Sequence, residues 1–219
     1  MDNKDLIIRE KTRRIIDFLG FYDRKTSGTE LENIIKTYKY VVQNINPNLS
    51  YREKHSGLDV NTNYNNILLV ALDNNPGLPT SNNVLFHHLL SGIDVDSYLV
   101  LCKSNSSGEP HVSTLVKIKN EYYYFDPSLE RSIADENAVG TDRPLMLCAA
   151  MGRSDYEKLY TPVQVLRKPG KKSKDTFPKN IADESIAKII INAINLRLPN
   201  LRVQRDIKPD ERAEDLEIE

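Results

Sequence analysis

The segment from His111 to Ser128 constrains the fold more than any other part of the chain, because its residues alternate on either side of a short turn. Its first half places β-branched residues at every second position, which predicts a strand. Lys119 to Glu121 predicts a tight turn, and an aromatic run follows it. An antiparallel hairpin of this kind brings His111 close to Asp126.

His111 and Asp126 are therefore a candidate catalytic pair. A carboxylate in hydrogen-bond reach of an imidazole fixes the tautomer and the orientation of the ring, which can then act as a general base. A histidine and an aspartate on a hairpin also occur without any catalytic role. The residues alone leave both interpretations open.

The hairpin resembles the His–Asp hairpin of the transglutaminase-like family, whose motif is H-x-W-N-x-V-x-I-x-x-x-W/Y-Y-x-x-D-P-T/S. The segment from Leu72 to Val95 is similar to the nucleophile helix of that family, G-x-C-x-x-[YF]-[AS]-x-L-F-x-x-L-L. The resemblance covers the chain from Tyr38 to Pro127. The matching residues are His111, Val116, Ile118, Tyr122, Tyr123, Asp126, Pro127 and Ser128 on the hairpin, and Gly77, Leu85, Phe86, Leu89 and Leu90 upstream. The Gly-Ile pair that ends the family's helix motif is present as Gly92 and Ile93, after a shorter loop than the family has.

The alignment places Pro79 where the family has its cysteine nucleophile. Proline has no nucleophilic side chain and no backbone N–H to offer an oxyanion. Ser113 and Thr114 stand where the family has Trp and Asn. The resemblance therefore implies a catalytically degenerate protein that retains only His111 and Asp126 of the triad.

Other groups are candidates to replace the missing thiol. Thr80 and Ser81 adjoin the vacant position, although a Pro-Thr-Ser-Asn-Asn run also predicts helix N-capping. Cys102 ends a strand that we expect to pair with the His111 strand, although buried cysteines commonly fill cores. Cys148 is a weaker candidate of the same kind. An activated water, with His111 as base, requires no protein nucleophile.

The remaining histidines do not form a metal-binding pattern. His87 and His88 are consecutive in a predicted helix, so their side chains diverge by about 100°. His55 lies in a polar loop, and the sequence contains no His-x-x-x-His or Cys-x-x-Cys spacing. We therefore expect neither a metal nor another cofactor.

Composition limits the partners of the chain. Its 30 basic and 31 acidic residues give a net charge of −1, so we expect no nucleic-acid partner. No stretch reaches the roughly 20 apolar residues that span a bilayer, so we expect no membrane partner. The basic run 167–174 is typical of a solvated linker, and it could alternatively contact phosphate or an acidic partner. Two cysteines and the lack of a signal-like N-terminus predict a cytoplasmic location.

The order of predicted elements indicates an α+β fold, because helices precede an antiparallel sheet. The resemblance implies a papain/transglutaminase-like core, with N-terminal helices packed on the sheet and an added C-terminal helix. The predicted helices are 5–19, 29–45, 65–72, 81–91 and 183–196, and the predicted strands are 97–103, 112–119, 121–125, 145–149 and 163–166.

We divide the chain into three parts. Residues 1–168 are expected to form the transglutaminase-like domain with its N-terminal helices. Residues 169–207 supply the basic loop and a C-terminal helix packed on that core. Residues 208–219 are an acidic tail that we predict to be disordered.

Two functions remain open, and we expect the first. In the first, the protein is not an enzyme, and its cleft binds a peptide, a protein segment or a small ligand. In the second, it is a hydrolase or acyltransferase in which His111 is the base, Asp126 orients it, and Thr80, Ser81 or an activated water attacks. A structural or assembly module is a third, smaller alternative.

Overall fold

Four helices come before a sheet that is interrupted by two further helices. The computed structural model describes residues 3–21, 29–44, 60–73, 79–136, 146–167 and 176–190. The helices are α1 (Asn3–Phe18), α2 (Glu30–Asn44), α3 (Val60–Leu72), α4 (Pro79–Gly92), α5 (Pro127–Glu136) and α6 (Arg153–Leu159). The strands are β1 (Ser97–Ser104), β2 (Pro110–Ile118), β3 (Glu121–Phe125) and β4 (Tyr160–Arg167).

Helix α2 shows how local sequence and burial act together. The Glu32 N–H donates to Thr29 Oγ1 at 3.3 Å, and the Glu32 carboxylate accepts from the Thr29 N–H at 2.7 Å. This reciprocal pair is a capping box, which satisfies two N–H groups at the helix start. The apolar stripe that follows places Ile34, Tyr38 and Val41 in the core with no exposure. Capping fixes where the helix begins, and burial of the stripe fixes which face meets the core.

The sheet has the strand order β3-β2-β1-β4, and all its neighbours are antiparallel. Ile118 pairs with Glu121 across a two-residue loop. Lys119 in this loop has a φ of 57°, as the tight turns that suit twisted hairpins require. The turn sets the register that brings the start of β2 to the end of β3.

The two faces of the sheet are buried in different clusters. On one face, Val112 and Val116 pack into the core formed by α2, α3 and α4. On the other face, Leu115 and Tyr124 pack with Tyr156 of α6. Both faces of the sheet are therefore covered.

The outer edge of β3 is closed by the chain itself. The Tyr122 N–H donates to the Asn180 carbonyl at 2.8 Å, and the Ala182 N–H donates to the Tyr122 carbonyl at 3.0 Å. Tyr124 forms a further antiparallel bridge with Met151. These bonds use backbone groups that an added strand would need.

The expected α+β class is confirmed, and most predicted elements are present. The third helix begins at Val60 rather than at residue 65. Helices α5 and α6 were not predicted. The proposed division at residues 168 and 207 stays a prediction, and residues 168–175 and 191–219 lie outside the described residues. No helix in the described ranges has both the length and the apolar character needed to cross a membrane.

The predicted strand at 145–149 is wrong, because residues 146–149 form turns and bends. Glu130, buried on α5, accepts the Met146 N–H at 2.5 Å and the Cys148 N–H at 2.9 Å. A side-chain carboxylate thus takes the donors that a strand would give to its neighbour.

The predicted C-terminal helix is confirmed only for residues 187–190, and residues 191–196 lie outside the described ranges. Residues 183–186 are not helical. Their backbone bonds instead to the start of α6 and to the segment before it: Ser154 N–H donates to the Asp183 carbonyl, and Ile186 N–H donates to the Ala150 carbonyl.

We expect Gly152→Ala to destabilise the fold through one close contact. A Cβ at this position would lie 2.4–2.6 Å from the backbone of Asp183 and Glu184. The Asp183 carbonyl is held there by the Ser154 N–H. The free energy of unfolding in urea should fall by about 1–3 kcal/mol.

Gly92→Ala is the matched control, because its added methyl would meet only the flexible end of the Ile16 side chain, at 2.7 Å. Its cost should be clearly smaller. Equal losses for the two variants would contradict the role given to the Gly152 contact.

Candidate functional site

The hairpin brings the predicted pair into contact. His111 Nε2 on β2 lies 2.6 Å from Asp126 Oδ2, just after β3. The His111 side chain is 11% exposed, and that of Asp126 is fully buried. The structure thus places both residues where the sequence predicted them, while their catalytic role stays a prediction.

The two oxygens of Asp126 serve different partners. Oδ1 accepts the Leu129 N–H at 3.1 Å and the Ser128 hydroxyl at 2.7 Å, so Asp126 is the N-cap of α5, with Pro127 as its first residue. Asn83 of α4 adds a third donor to Oδ1, through Nδ2 at 3.0 Å. Oδ2 is left to hold His111.

These donors keep Asp126 charged. Burial by itself raises the pKa of the carboxyl, but the charge and hydrogen bond of His111, with the hydrogen bonds from Asn83 and Ser128, bring the pKa down to about 2. A deprotonated carboxylate can only accept, so His111 Nε2 must carry the proton. In the unprotonated ring the lone pair is therefore on Nδ1, which is the tautomer that a general base in this position needs.

A tyrosine from β4 covers one face of the imidazole. The rings of His111 and Tyr160 are stacked, with centroids 4.8 Å apart and planes 8° from parallel. Burial, and then the charge of Asp126, raise the pKa of Tyr160, so its hydroxyl stays protonated. His111 is therefore held through one nitrogen and along one face.

Pro79 is the first residue of α4, the helix that supplies Asn83. Position 79 lies one turn before Asn83, and residues four apart share a helix face. Asn83 is directed at Asp126, so the helix face that carries positions 79 and 83 is the face turned toward Asp126.

The other nucleophile candidates are not joined to the imidazole. Thr80 is half-buried and Ser81 is buried. Within the described residues, no hydrogen bond links either hydroxyl to His111. Cys102 Sγ donates to the backbone carbonyl of His111 at 3.3 Å, and burial raises the pKa of this thiol to about 12. Cys148 is also buried, at 2% exposure.

The two positions that differ from the family motif take part in packing. Ser113 is buried, and its hydroxyl lies 2.6 Å from that of Tyr156. Thr114 donates to Asn83 Oδ1 at 3.3 Å, which turns the amide nitrogen of Asn83 toward Asp126. Both side chains are therefore buried and hydrogen-bonded to other residues of the protein.

His87 and His88 of α4 form hydrogen bonds with two different elements, β1 and α1. His87 Nδ1 lies 2.9 Å from Ser97 Oγ, and His88 Nε2 lies 2.9 Å from Thr12 Oγ1, so the two rings diverge as predicted. His55 lies outside the described residues. In the described part of the chain, no group of three or more His, Cys, Asp or Glu residues is arranged to hold a metal ion.

Sequence reasoning missed the residues that hold the pair in place. The Asp-Pro-Ser run carries an N-cap followed by proline, a signal for α5 and for the role of Ser128. Asn83 is a polar residue beside an apolar helical run, which gives no indication of its partner. Tyr160 lies far along the chain, and nothing local points to His111.

Comparisons with known proteins find a weak structural similarity and no match in sequence. No protein-family profile matches the sequence, and no curated protein matches it. Among solved structures, the chain is similar to the crystal structure of a TGase, with 13% identity and a TM-score of 0.40. The similarity covers 57% of this chain and 31% of that one, so the chain spans less than a third of the TGase. A likeness at this level says nothing about activity.

We expect Asp126→Asn to remove a pH-dependent part of the stability. The pKa of Asp126 is about 2 in the fold and 3.8 without its partners, so the ionised carboxylate contributes stability above pH 3.8 that is lost as the pH falls toward 2. The variant should be about 2 kcal/mol less stable at neutral pH.

The measurement is urea unfolding of both proteins across this pH window. The difference between them should shrink steadily as the pH falls. A difference that stays constant from pH 6 down to about pH 2 would mean that Asp126 is not held as an ionised group.

Proposed function

We propose that this chain is a transglutaminase-like protein without the cysteine nucleophile, and that its site binds a peptide, a protein segment or a small ligand without transforming it. The observation that carries this proposal is the contact between His111 and Asp126 beside a helix that begins at Pro79. The pair that would activate a thiol is held in place, and proline occupies the position that the resemblance assigns to that thiol.

The surroundings of the pair favour the non-catalytic form. Cys102 faces the backbone, and its raised pKa keeps it in the thiol form at neutral pH, whereas the thiolate is the nucleophile. Ser81 is buried, which leaves little room for a substrate carbonyl to reach its hydroxyl.

Ligand binding is proposed at the first turn of α4 and the free side of His111, not at the β3 edge. That edge already pairs with residues 180–182. Tyr122 and Tyr124 are buried as well, at 8% and 1% exposure, so they serve as core residues rather than as a binding surface. The absence of a nucleic-acid partner and the cytoplasmic location remain predictions.

The proposal is tested by restoring the thiol with Pro79→Cys. The N-terminus of a helix and a nearby imidazole both favour a thiolate. The new cysteine should react with iodoacetamide roughly tenfold faster than a cysteine placed at position 80. Mass spectrometry of the alkylated peptides reports each rate separately.

Three controls define the result. The unchanged chain gives the background from Cys102 and Cys148, both buried. Thr80→Cys places a thiol on the same turn but about 100° around the helix. Adding His111→Ala to Pro79→Cys should remove the advantage. If Pro79→Cys reacts no faster than Thr80→Cys, position 79 does not face the imidazole, and the proposal is wrong.

A hydrolase or acyltransferase is the second candidate, and the ionised state of Asp126 favours it. A charged Asp126 holds His111 as the Nε2–H tautomer, so Nδ1 is able to take a proton from water or from the hydroxyl of Thr80. Attack by water needs no protein nucleophile.

This alternative predicts slow hydrolysis of generic ester or amide substrates by the unchanged chain. The activity should disappear with His111→Ala and persist with Cys102→Ala, since that thiol donates to the backbone carbonyl of His111 and its raised pKa keeps it protonated. Chromatographic detection of the released product checks both variants. Such an activity would replace the non-catalytic proposal.

A further inference from the structure

Tyr160 contacts the face of the His111 imidazole, whereas Asp126 contacts its Nε2. The hydrogen bond from Nε2 to Asp126 fixes one atom of the ring at 2.6 Å. This hydrogen bond alone does not fix the plane of the ring. The stacked face of Tyr160, 8° from parallel, restricts the plane of the ring. The two contacts together determine where Nδ1 points.

Tyr160 is itself fixed by backbone and ring contacts. Its N–H donates to the Tyr156 carbonyl at the end of α6, and its backbone pairs with Ser104 of β1. Its ring lies 5.4 Å from that of Tyr156, which stacks on Tyr124 at 3.6 Å. The rings of Tyr124, Tyr156, Tyr160 and His111 therefore form a column of successive contacts that begins in the core and ends at His111.

The column also limits access of water to the His–Asp hydrogen bond. Tyr160 is 7% exposed and Asp126 is fully buried. A hydrogen bond to a charged group is stronger where water cannot compete for it. The ring of Tyr160 covers one face of the imidazole that makes this hydrogen bond.

We propose that Tyr160 is a positioning residue for His111: its ring sets the plane of the imidazole and excludes water from the His111–Asp126 hydrogen bond. This role rests on the proposed function, because a held imidazole matters only to a ligand or nucleophile that meets it. Tyr160 lies outside both family motifs, so the resemblance gives no indication of this role.

Proton NMR of the ¹⁵N-labelled chain tests this role in the protein as it is. The His111 Nε2–H should give a resolved, slowly exchanging signal with the nitrogen shifts of the Nε2–H tautomer. Tyr160→Phe is the matched variant, because it keeps the ring and removes the hydroxyl, and the signal should persist. In Tyr160→Leu, exchange with water should be roughly tenfold faster or more.

Several results would overturn the role. The native chain could lack a slowly exchanging Nε2–H, Tyr160→Leu could exchange as slowly as the native chain, or Tyr160→Phe could lose the signal. The last result would assign the effect to the hydroxyl. Backbone amide spectra check that each variant is folded. Tyr160→Ile, a better strand former, replaces the leucine variant if that one fails to fold.

A second measurement separates this role from the proposed function. In the Pro79→Cys background, alkylation should be roughly tenfold slower with Tyr160→Leu than with Tyr160→Phe. If Pro79→Cys is unreactive while the protected Nε2–H still depends on the Tyr160 ring, the proposed function fails and the positioning role stands. If the thiol is reactive and both Tyr160 variants alkylate equally fast, the positioning role fails alone.

Discussion

The carboxylate of Asp126 is the interaction on which the rest of the site depends. One oxygen caps α5 and accepts from Asn83 of α4, and the other holds His111 of β2. A single buried charge thus joins two helices and the central hairpin. Its removal would leave donors from three elements without an acceptor, which costs far more than any one of these bonds contributes.

This arrangement gives a physical reason why a His–Asp pair can remain beside a position that holds proline. Once the carboxylate is buried, loss of the imidazole would leave it without one of its donors, which destabilises the fold whether or not a thiol faces the other ring nitrogen. The pair is therefore useful to stability on its own. The differences at Ser113 and Thr114 fit the same account, because both hydroxyls now bond to residues that support the pair or its neighbours.

The hairpin and the order of elements were predictable because they depend on local patterns. Alternation and a two-residue turn bring the start of β2, with His111, near the end of β3, where Asp126 follows. The apolar stripe of α2 is also visible in the sequence. The structure of residues 146–149 was not predictable in this way. The side chain of Glu130, on α5, accepts hydrogen bonds from the N–H groups of Met146 and Cys148. Such bonds depend on tertiary packing and produce no periodic pattern in the sequence. Tyr160 and Asn83 reach the pair through tertiary packing, so only the folded chain shows their partners.

The charge state of Asp126 tests the account most directly. A ¹³C NMR titration of its side-chain carboxyl, over the pH range in which the fold persists, reports that state without any substitution. The carboxyl shift should stay at the ionised value down to the acid limit of the fold, consistent with a pKa of about 2. A midpoint at or above its ordinary value of 3.8 would contradict the account, because Asp126 would then not hold His111 by its charge.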